Sequence, residues 1–405
     1  MRMTKLLVLG FLAGASATLA AGLPPVESMP TVDAAALASP QLLNGAGYTV
    51  DGTVPVVGYM GQFTLRAPAG VFAADGIDML AVRVSELAAI ASLGQLSQSG
   101  VFADALAASA LKTGAAIGQA VTRPMETISG IPAGVGRFFQ SATTTIARAT
   151  ESNAGAQSAG DTADDLLGIN KAKRRIAKQV GADPYTTNPV LAKQLDDLAR
   201  AAFAGGVSLD VAMSVTTAGV ATAISATATV SNLVWERSPE DVRTLNEQRL
   251  SAMGVDPGTV RAFVTNRWLT PTLSVPLVEG LVGLPEAKGR AAVVALASGV
   301  GSEGEARFVV NVVNMARRIG TQGDPVVALD LKGRIVVVRT RAGRTEVPAP
   351  VDYVVWTEPV KAFAEQEGRG PKGAARNVLV TGISSAVARE GLRQTGWTVR
   401  ERSKS

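Results

Sequence analysis

The chain has 405 residues, no cysteine and no histidine, and a formal net charge of +5. Without cysteine it can form neither disulfides nor thiol nucleophiles, and without histidine it lacks Ser-His-Asp catalysis and the usual zinc ligands. We therefore expect no cofactor and no metal site, identify no catalytic residue, and favour a protein that is not an enzyme.

Residues 1–22 have the pattern of a secretory signal peptide. A short basic start precedes an uncharged, mostly apolar run over residues 6–21. The run is about 16 residues long, shorter than the roughly 20 that cross a bilayer. Small residues place the cleavage near Ala20 to Gly22, and Pro24 then stops the helix. We expect a bacterial protein that is exported to the periplasm or secreted.

The next part of the chain changes from strand to helix. Residues 23–76 contain short β-rich segments separated by Gly and Pro, and they predict a small β-rich N-terminal element. From Ile77 the apolar spacing becomes helical, which predicts a helical region over residues 77–150. Residues 151–162 contain Ser, Gly, Ala, Asn, Gln and Asp without a strong apolar residue, and they predict a linker.

A helical domain is predicted for residues 163–320. It contains two proline turns, Asp183-Pro184-Tyr185 and Asn188-Pro189, which turn and capping chemistry explain without any functional role. Residues 211–235 carry no charge and are long enough to span a membrane. Because 10 of these 25 residues are Ser, Thr, Gly or Asn, a close-packed buried helix or helical pair is favoured over a membrane-active segment.

Residues 321–405 predict a small basic α+β domain. The period of the apolar residues falls to two over a hairpin at 326–340, and Tyr353–Trp356 is predicted as its third strand. A β-α-β unit then covers residues 377–400. This domain carries 14 Lys and Arg against 9 Asp and Glu, whereas the preceding 320 residues carry 25 of each. The net positive charge of the protein therefore belongs to its C-terminal part.

Three sequence motifs are each better explained as coincidence. Residues 299–304 match the dinucleotide glycine fingerprint, but the alanine-rich run before them fits a helix as well as the required strand. Residues 109–114 combine Ser-x-x-Lys with Lys-Thr-Gly, and one lysine cannot fill both roles. Residues 382–386 imitate a nucleophile elbow, but no histidine exists to activate Ser384, which is predicted as a helix N-cap.

Together these patterns predict a mainly α fold, with a multi-helix body, a small β-rich N-terminal element and a C-terminal α+β domain. The leading functional hypothesis is a non-enzymatic, exported binding or envelope-interaction protein. Its basic residues 321–405 would dock to an acidic protein, an anionic lipid or a cell-wall polymer, and no nucleic-acid partner is expected.

Two alternatives stay open. One is a membrane-associated protein that uses residues 211–235. The other is a hydrolase of polysaccharides that works with a pair of carboxylates, because that mechanism needs neither histidine nor cysteine. The sequence alone names no such pair among its 34 acidic residues.

Overall fold

A computed structural model describes residues 22–97, 135–139, 163–205, 228–321, 323–368 and 375–405. The described residues are 52% helical and 20% strand and contain three sheets, so the predicted mainly α class is wrong and the fold is mixed α and β. The strands at the two ends of the chain form larger sheets than the small β-rich element and the hairpin that the sequence predicted. The predicted signal peptide before Gly22 and the predicted linker 151–162 lie outside the described residues.

The β-rich N-terminal element forms a six-stranded antiparallel sheet. The longest strand, β5, pairs with β4, β3 and β6. The strands are β1 (Thr31–Asp33), β2 (Asn44–Gly45), β3 (Tyr48–Val50), β4 (Thr53–Val57), β5 (Met60–Ala67) and β6 (Gly70–Asp75), and the one-turn helices α1 (Ala34–Leu37) and α2 (Pro40–Leu43) lie between β1 and β2.

The turn between β4 and β5 reaches toward the C-terminal part of the chain. Gly58 and Tyr59 both have positive φ, 54° and 70°, as a two-residue hairpin of this hand requires. Tyrosine rarely adopts this conformation, and here its contacts hold it in place. Its carbonyl accepts hydrogen bonds from the backbone N–H groups of Asp352 and Tyr353, both at 3.1 Å. Its hydroxyl lies 2.6 Å from that of Thr357.

Helices make up most of the middle of the chain, and several begin at a proline, whose missing N–H is no loss at a helix start. Ser238 forms a capping box with Asp241 before one of them. The helices are α3 (Ile77–Ser97), α4 (Ala163–Gln179), α5 (Pro189–Gly205), α6 (Ala228–Glu236), α7 (Pro239–Ala252), α8 (Pro257–Thr265), α9 (Pro271–Val282), α10 (Arg290–Ser298) and α11 (Glu303–Thr321), with a short 3-10 helix at Gly136–Phe139.

The C-terminal part forms a five-stranded mixed sheet in the order β13-β11-β9-β8-β7. Strands β9, β11 and β13 are parallel to one another, and β7 to β9 are antiparallel. The elements are β7 (Val326–Lys332), β8 (Ile335–Thr340), β9 (Thr345–Ala349), β10 (Tyr353–Val354), α12 (Glu358–Glu367), β11 (Arg376–Val380), β12 (Ile383–Ser384), α13 (Ala386–Gln394) and β13 (Thr398–Arg400). Strands β10 and β12 form a separate parallel pair.

The predicted third strand of this sheet was placed too late in the chain. Thr345–Ala349 is the strand that pairs with β8 and β11, whereas Tyr353–Val354 pairs with β12. Pro348 concealed the true strand, because proline usually argues against a central strand. It is tolerated here because β8 pairs only with Thr345 and Glu346, so the ladder on that side ends before the proline.

Two main hydrophobic cores hold these elements. The first packs α3, α4 and α5 against the N-terminal sheet, with Phe63, Leu80 and Leu195 almost fully buried. The second packs α7 to α13 against the C-terminal sheet around Trp356, and it includes Tyr59 from the N-terminal hairpin. The hairpin turn of the first sheet therefore belongs to the core of the second.

Replacing Gly289 with alanine should destabilise the protein more than the same change at Gly343. Both glycines have positive φ, 84° and 83°, so both variants incur the left-handed backbone cost of roughly 1–2 kcal/mol. A Cβ at residue 289 would also lie 2.1 Å from the carbonyl oxygen of Leu329, whereas nothing lies within 4 Å at residue 343. Urea unfolding measures the two losses. Equal losses would contradict the close approach of residue 289 to the edge strand β7.

Candidate functional site

A cavity of about 380 Å³ lies at the carboxyl ends of the parallel strands β9 and β11. Pro350 directly follows β9 and Thr381 directly follows β11, and both line the cavity. In sheets with parallel strands, this end is where ligands usually bind. The other lining residues are Met60, Ile77, Asp78, Arg318, Asp352, Ser403, Lys404 and Ser405.

Asp352 is the buried acidic group of this cavity. Asp352 is only 4% exposed, although burying a lone charged carboxylate costs a large free energy of desolvation. The carboxyl accepts a hydrogen bond from the backbone N–H of Gly61 in β5 at 2.8 Å. It also accepts from the backbone N–H of Ile77 at 3.2 and 3.3 Å. Ile77 is the first residue of α3, so Asp352 caps that helix from a distant part of the chain.

The surroundings of Asp352 favour its neutral form. Burial, aided by the nearby charges of Asp78 and Asp75, raises its pKa to about 7 against the lowering effect of the backbone hydrogen bonds. Burial also raises the pKa of Asp75, which accepts a hydrogen bond from Gln62 Nε2 at 2.6 Å. Asp78 is exposed and accepts a hydrogen bond from Asn311. The cavity therefore combines an exposed carboxylate with a buried carboxyl group that titrates near neutral pH.

Exposed basic side chains lie in two of the segments that line the cavity. Arg318 lies in the last turn of α11, and Arg402 and Lys404 lie in the tail after β13, and all three are exposed. Over the described part of the chain, none of the three has a salt bridge within 4 Å. We call these three residues the basic rim. Arg318 and Lys404 line the cavity itself.

Most of the other described basic residues of the C-terminal part are paired with acids. Their salt bridges are Lys332–Glu367, Arg339–Asp330, Arg341–Glu286, Arg344–Asp324, Lys361–Glu358, Arg389–Glu401 and Arg393–Glu390. Six of these seven acids belong to residues 321–405 and are already counted in its charge balance, so the excess of positive charge lies mainly with basic residues outside these pairs. The cations that stay available to a partner include the basic rim.

A second polar cluster lies at the predicted double proline turn. The buried Glu86 of α3 accepts hydrogen bonds from Arg83 Nη1 and Asn188 Nδ2, both at 2.9 Å, and from Thr186. In α11, Arg307 binds Glu303 with two nitrogens at 2.7 and 2.9 Å. Thr187 connects the two groups, because it accepts from Arg83 at 2.7 Å and donates to Glu303.

The charges of this cluster balance internally. Burial alone would raise the pKa of Glu303, but the charges of Arg307 and Arg83 hold it below its usual value. Burial raises the pKa of Asp183 to about 6, against hydrogen bonds from Thr272 Oγ1 and the backbone N–H of Tyr185. Satisfied networks of this kind fix the packing of the elements that they join. We therefore assign the cluster a structural role.

Turn and cap chemistry at the double turn is confirmed, but it is only part of the role of these residues. Asp183 Oδ1 accepts from the backbone N–H of Tyr185 at 2.8 Å, and Asn188 Oδ1 accepts from that of Val190 at 3.1 Å. Asn188 also holds Glu86, and Asp183 also accepts from Thr272 Oγ1 at 2.7 Å. These tertiary partners have no signature in the local sequence.

The structure gives no support for a catalytic or cofactor-binding role of the motifs that it describes. Residues 299–304 follow helix α10 rather than a strand, so the dinucleotide fingerprint fails its structural requirement. In addition, the backbone N–H of Gly301 donates to Glu305 Oε2 at 2.6 Å. In residues 382–386, Ser385 rather than Ser384 is the N-cap, accepting from the backbone N–H of Ala388 at 2.9 Å. Residues 109–114 lie outside the described residues.

Most of the uncharged segment 211–235 also lies outside the described residues, with its last part in α6. Among the helices that the structure describes, none is long and apolar enough to cross a membrane. The described ranges also contain no group of three or more acidic side chains placed to hold a metal ion. The cavity and its basic rim are therefore the candidate functional site.

Sequence reasoning missed Asp352, Asp78 and Arg318. One feature of the sequence could have indicated Asp352: it is a lone acid that follows Val351 and precedes an apolar run of strand-forming residues. Such a position suggests a buried charge but does not identify its partners. Asp78 and Arg318 carry no local signal, because each is an ordinary polar residue on an amphipathic helix.

The protein should lose stability as the pH rises from 5 to 8, and Asp352→Asn should remove part of that loss. The folded pKa of about 7 lies above the ordinary value of 3.8. When the pKa of a group is higher in the folded state than in the unfolded state, the stability that this group contributes is complete below its pKa in the unfolded state. That contribution is lost as the pH rises through its pKa in the folded state. The size of this pKa shift limits the total loss of unfolding free energy from Asp352 to about 4 kcal/mol. The free energy of urea unfolding at each pH measures the effect.

Asp330→Asn is the matched control, because it removes a surface carboxylate that pairs with Arg339 at 2.6 Å. Asp183 also titrates near pH 6, so the informative quantity is the difference between wild type and Asp352→Asn. A difference that stays constant from pH 5 to 8 would contradict the assignment.

Comparison with family models, curated proteins and solved structures gave no match for this chain. Function is therefore inferred from the geometry of the cavity and its basic rim.

Proposed function

We propose that the protein is an exported, non-enzymatic binding protein that holds an acidic, carboxylate-bearing polymer at the basic rim. The observation that carries this proposal is the contrast in pairing. Arg318 and Lys404 line the cavity and, like Arg402, have no salt bridge within the described ranges, whereas seven basic residues of the C-terminal part have acidic partners. Cations without an internal partner retain their full attraction for an external anion.

The shape of the site favours a polymer or protein over a lipid surface. Two rim cations line a cavity of about 380 Å³, which suits a small group that projects from the partner. Binding to a bilayer would benefit from large apolar side chains beside the cations. The exposed ones in the described residues, including Val57, Phe203 and Val282, are not among the residues that line the cavity.

Two observations support export. Residues 1–22 have the charge and apolar pattern of a signal peptide. Directly after the proposed cleavage, Pro24 accepts a hydrogen bond from Trp356 Nε1 at 3.1 Å, and Glu27 accepts from the backbone N–H of Trp356 at 3.0 Å. The mature chain would thus begin just before its first contacts with the folded body.

Loss of two rim cations should weaken binding to poly-L-glutamate. A basic residue near an anionic surface contributes about 1 kcal/mol, so Arg318→Gln with Lys404→Gln should weaken binding roughly 30-fold. The control is Arg341→Gln with Arg393→Gln, which changes the net charge equally but removes cations that are already paired. Titration calorimetry of the mature chain at low salt gives both affinities.

Three results would overturn the proposal. Equal weakening in both double variants would mean that only net charge matters. Wild-type protein that binds anionic phosphatidylglycerol vesicles but not poly-L-glutamate would identify a lipid surface as the partner. Absence of binding to either probe would exclude an anionic partner at the rim.

A carboxylate-dependent hydrolase is the second candidate, because Asp78 and Asp352 line the same cavity. Asp352 would act as the acid and Asp78 as the base, which is the division of roles that two such carboxyl groups allow. Release of reducing ends from soluble polysaccharides tests this candidate. Asp78→Asn should abolish the release and Asp330→Asn should not. If the wild-type protein releases none, the candidate fails.

A further inference from the structure

We infer that the cavity binds a small zwitterionic group, with its carboxylate at Arg318 and Lys404 and its primary ammonium at Asp78 and Asp352. This inference rests on the proposed function, because the same rim cations would hold the carboxylate of the partner. It goes further by specifying a second charge on the ligand and the residues that recognise it.

Opposite charges line the cavity without satisfying one another. Asp78 comes from the first turn of α3 and Asp352 from the loop after β9, whereas Arg318 comes from α11 and Lys404 from the tail. Over the described ranges, neither of these cations forms a salt bridge with either carboxyl group. A ligand that carries both charges can complement the two sides of the cavity together.

Among the described residues, Asp352 also has no positively charged partner. The donors to its carboxyl group there are the backbone N–H groups of Gly61 and Ile77. Of the ionisable groups near it, Asp75 at the end of β6 and Asp78 in α3 raise its pKa, and Arg318 in α11 and Lys404 in the tail line the same cavity. An ammonium group between Asp78 and Asp352 would supply the missing positive charge and favour ionised Asp352.

The cavity has the size and lining for a ligand of this class. Its volume of about 380 Å³ is within the roughly 300–1,000 Å³ of ligand pockets. Met60, Ile77 and Pro350 add apolar surface to the charged lining. A short peptide with free termini, or a larger amino acid, has charged ends separated by an apolar carbon framework and fits this arrangement.

Titration calorimetry of the mature chain with three related probes tests the inference. The dipeptide alanyl-leucine carries both charges, its N-acetyl derivative lacks the ammonium, and its C-terminal amide lacks the carboxylate. The dipeptide should bind roughly tenfold or more tightly than either derivative. If the N-acetyl derivative binds as tightly as the dipeptide, the ammonium site is excluded while the proposed function stands.

If none of the three probes binds, the zwitterion site is excluded, and binding of poly-L-glutamate then decides the proposed function separately. Tight binding of the amide alone would exclude a carboxylate subsite at the rim.

Variants locate each charge. Asp78→Asn should reduce binding of the dipeptide and leave the N-acetyl derivative unchanged, whereas Arg318→Gln should reduce both. Arg393→Gln, a cation paired with Glu390, is the control and should change neither. Equal effects of Asp78→Asn on the two probes would overturn the assignment of the ammonium.

The pH dependence gives a second readout. An ammonium ligand lowers the pKa of Asp352, so binding releases a proton and the affinity should increase between pH 6 and pH 8. Asp352→Asn should remove that increase. An identical pH profile in the variant would overturn the role of Asp352, and the test with Asp78→Asn holds even if Asp352→Asn does not fold.

Discussion

The carboxyl group of Asp352 connects the two sheets of this protein. It accepts hydrogen bonds from the backbone N–H groups of Gly61 in the N-terminal sheet and Ile77 at the start of α3. The backbone N–H of Asp352 donates to the carbonyl oxygen of Tyr59 in the hairpin turn. Burying a carboxyl group has a large desolvation cost, which these hydrogen bonds and partial protonation offset. The N-terminal hairpin, α3 and the C-terminal sheet thereby share one fixed point.

The position of the cavity follows from this connection. The carboxyl end of β9 faces the first turn of α3 because Asp352 caps that helix, and Asp78 and Met60 are thereby brought beside Pro350. The last turn of α11 and the tail after β13 complete the wall with cations. Residues from both halves of the described chain therefore build one site.

Helix α3 also connects the cavity to the buried polar cluster. Its first turn contributes Asp78, and Glu86, two turns later, binds the double proline turn. Thr187 extends the cluster to Glu303 at the start of α11, and the last turn of α11 carries Arg318. Both helices that supply charged side chains to the cavity are thus fixed at a second point. The hydrogen bonds of this cluster therefore help to fix the positions of the two helices whose side chains line the cavity.

The sequence by itself determined the local structure and the distribution of charge. Spacing of apolar residues predicted the helix that starts at Ile77 and the hairpin of β7 and β8, because these features depend on near neighbours. Even so, the fold class was wrong, because short strands such as β9, with Pro348 inside it, carry too little period to be recognised. Composition alone limited the chemistry, because the chain has neither histidine nor cysteine.

Only the tertiary structure decided which charges stay available and which are buried. The sequence placed the positive charge in residues 321–405, but it did not show which of these cations pair with acids such as Glu286 and Asp330 and which have no salt bridge among the described residues. It also left Arg318 in a part of the chain with no net charge, although this residue lines the cavity with Lys404. The physical reason is that salt bridges, desolvation and cavities depend on groups far apart in the chain, as with Gly61 and Asp352, and local sequence does not encode those distances.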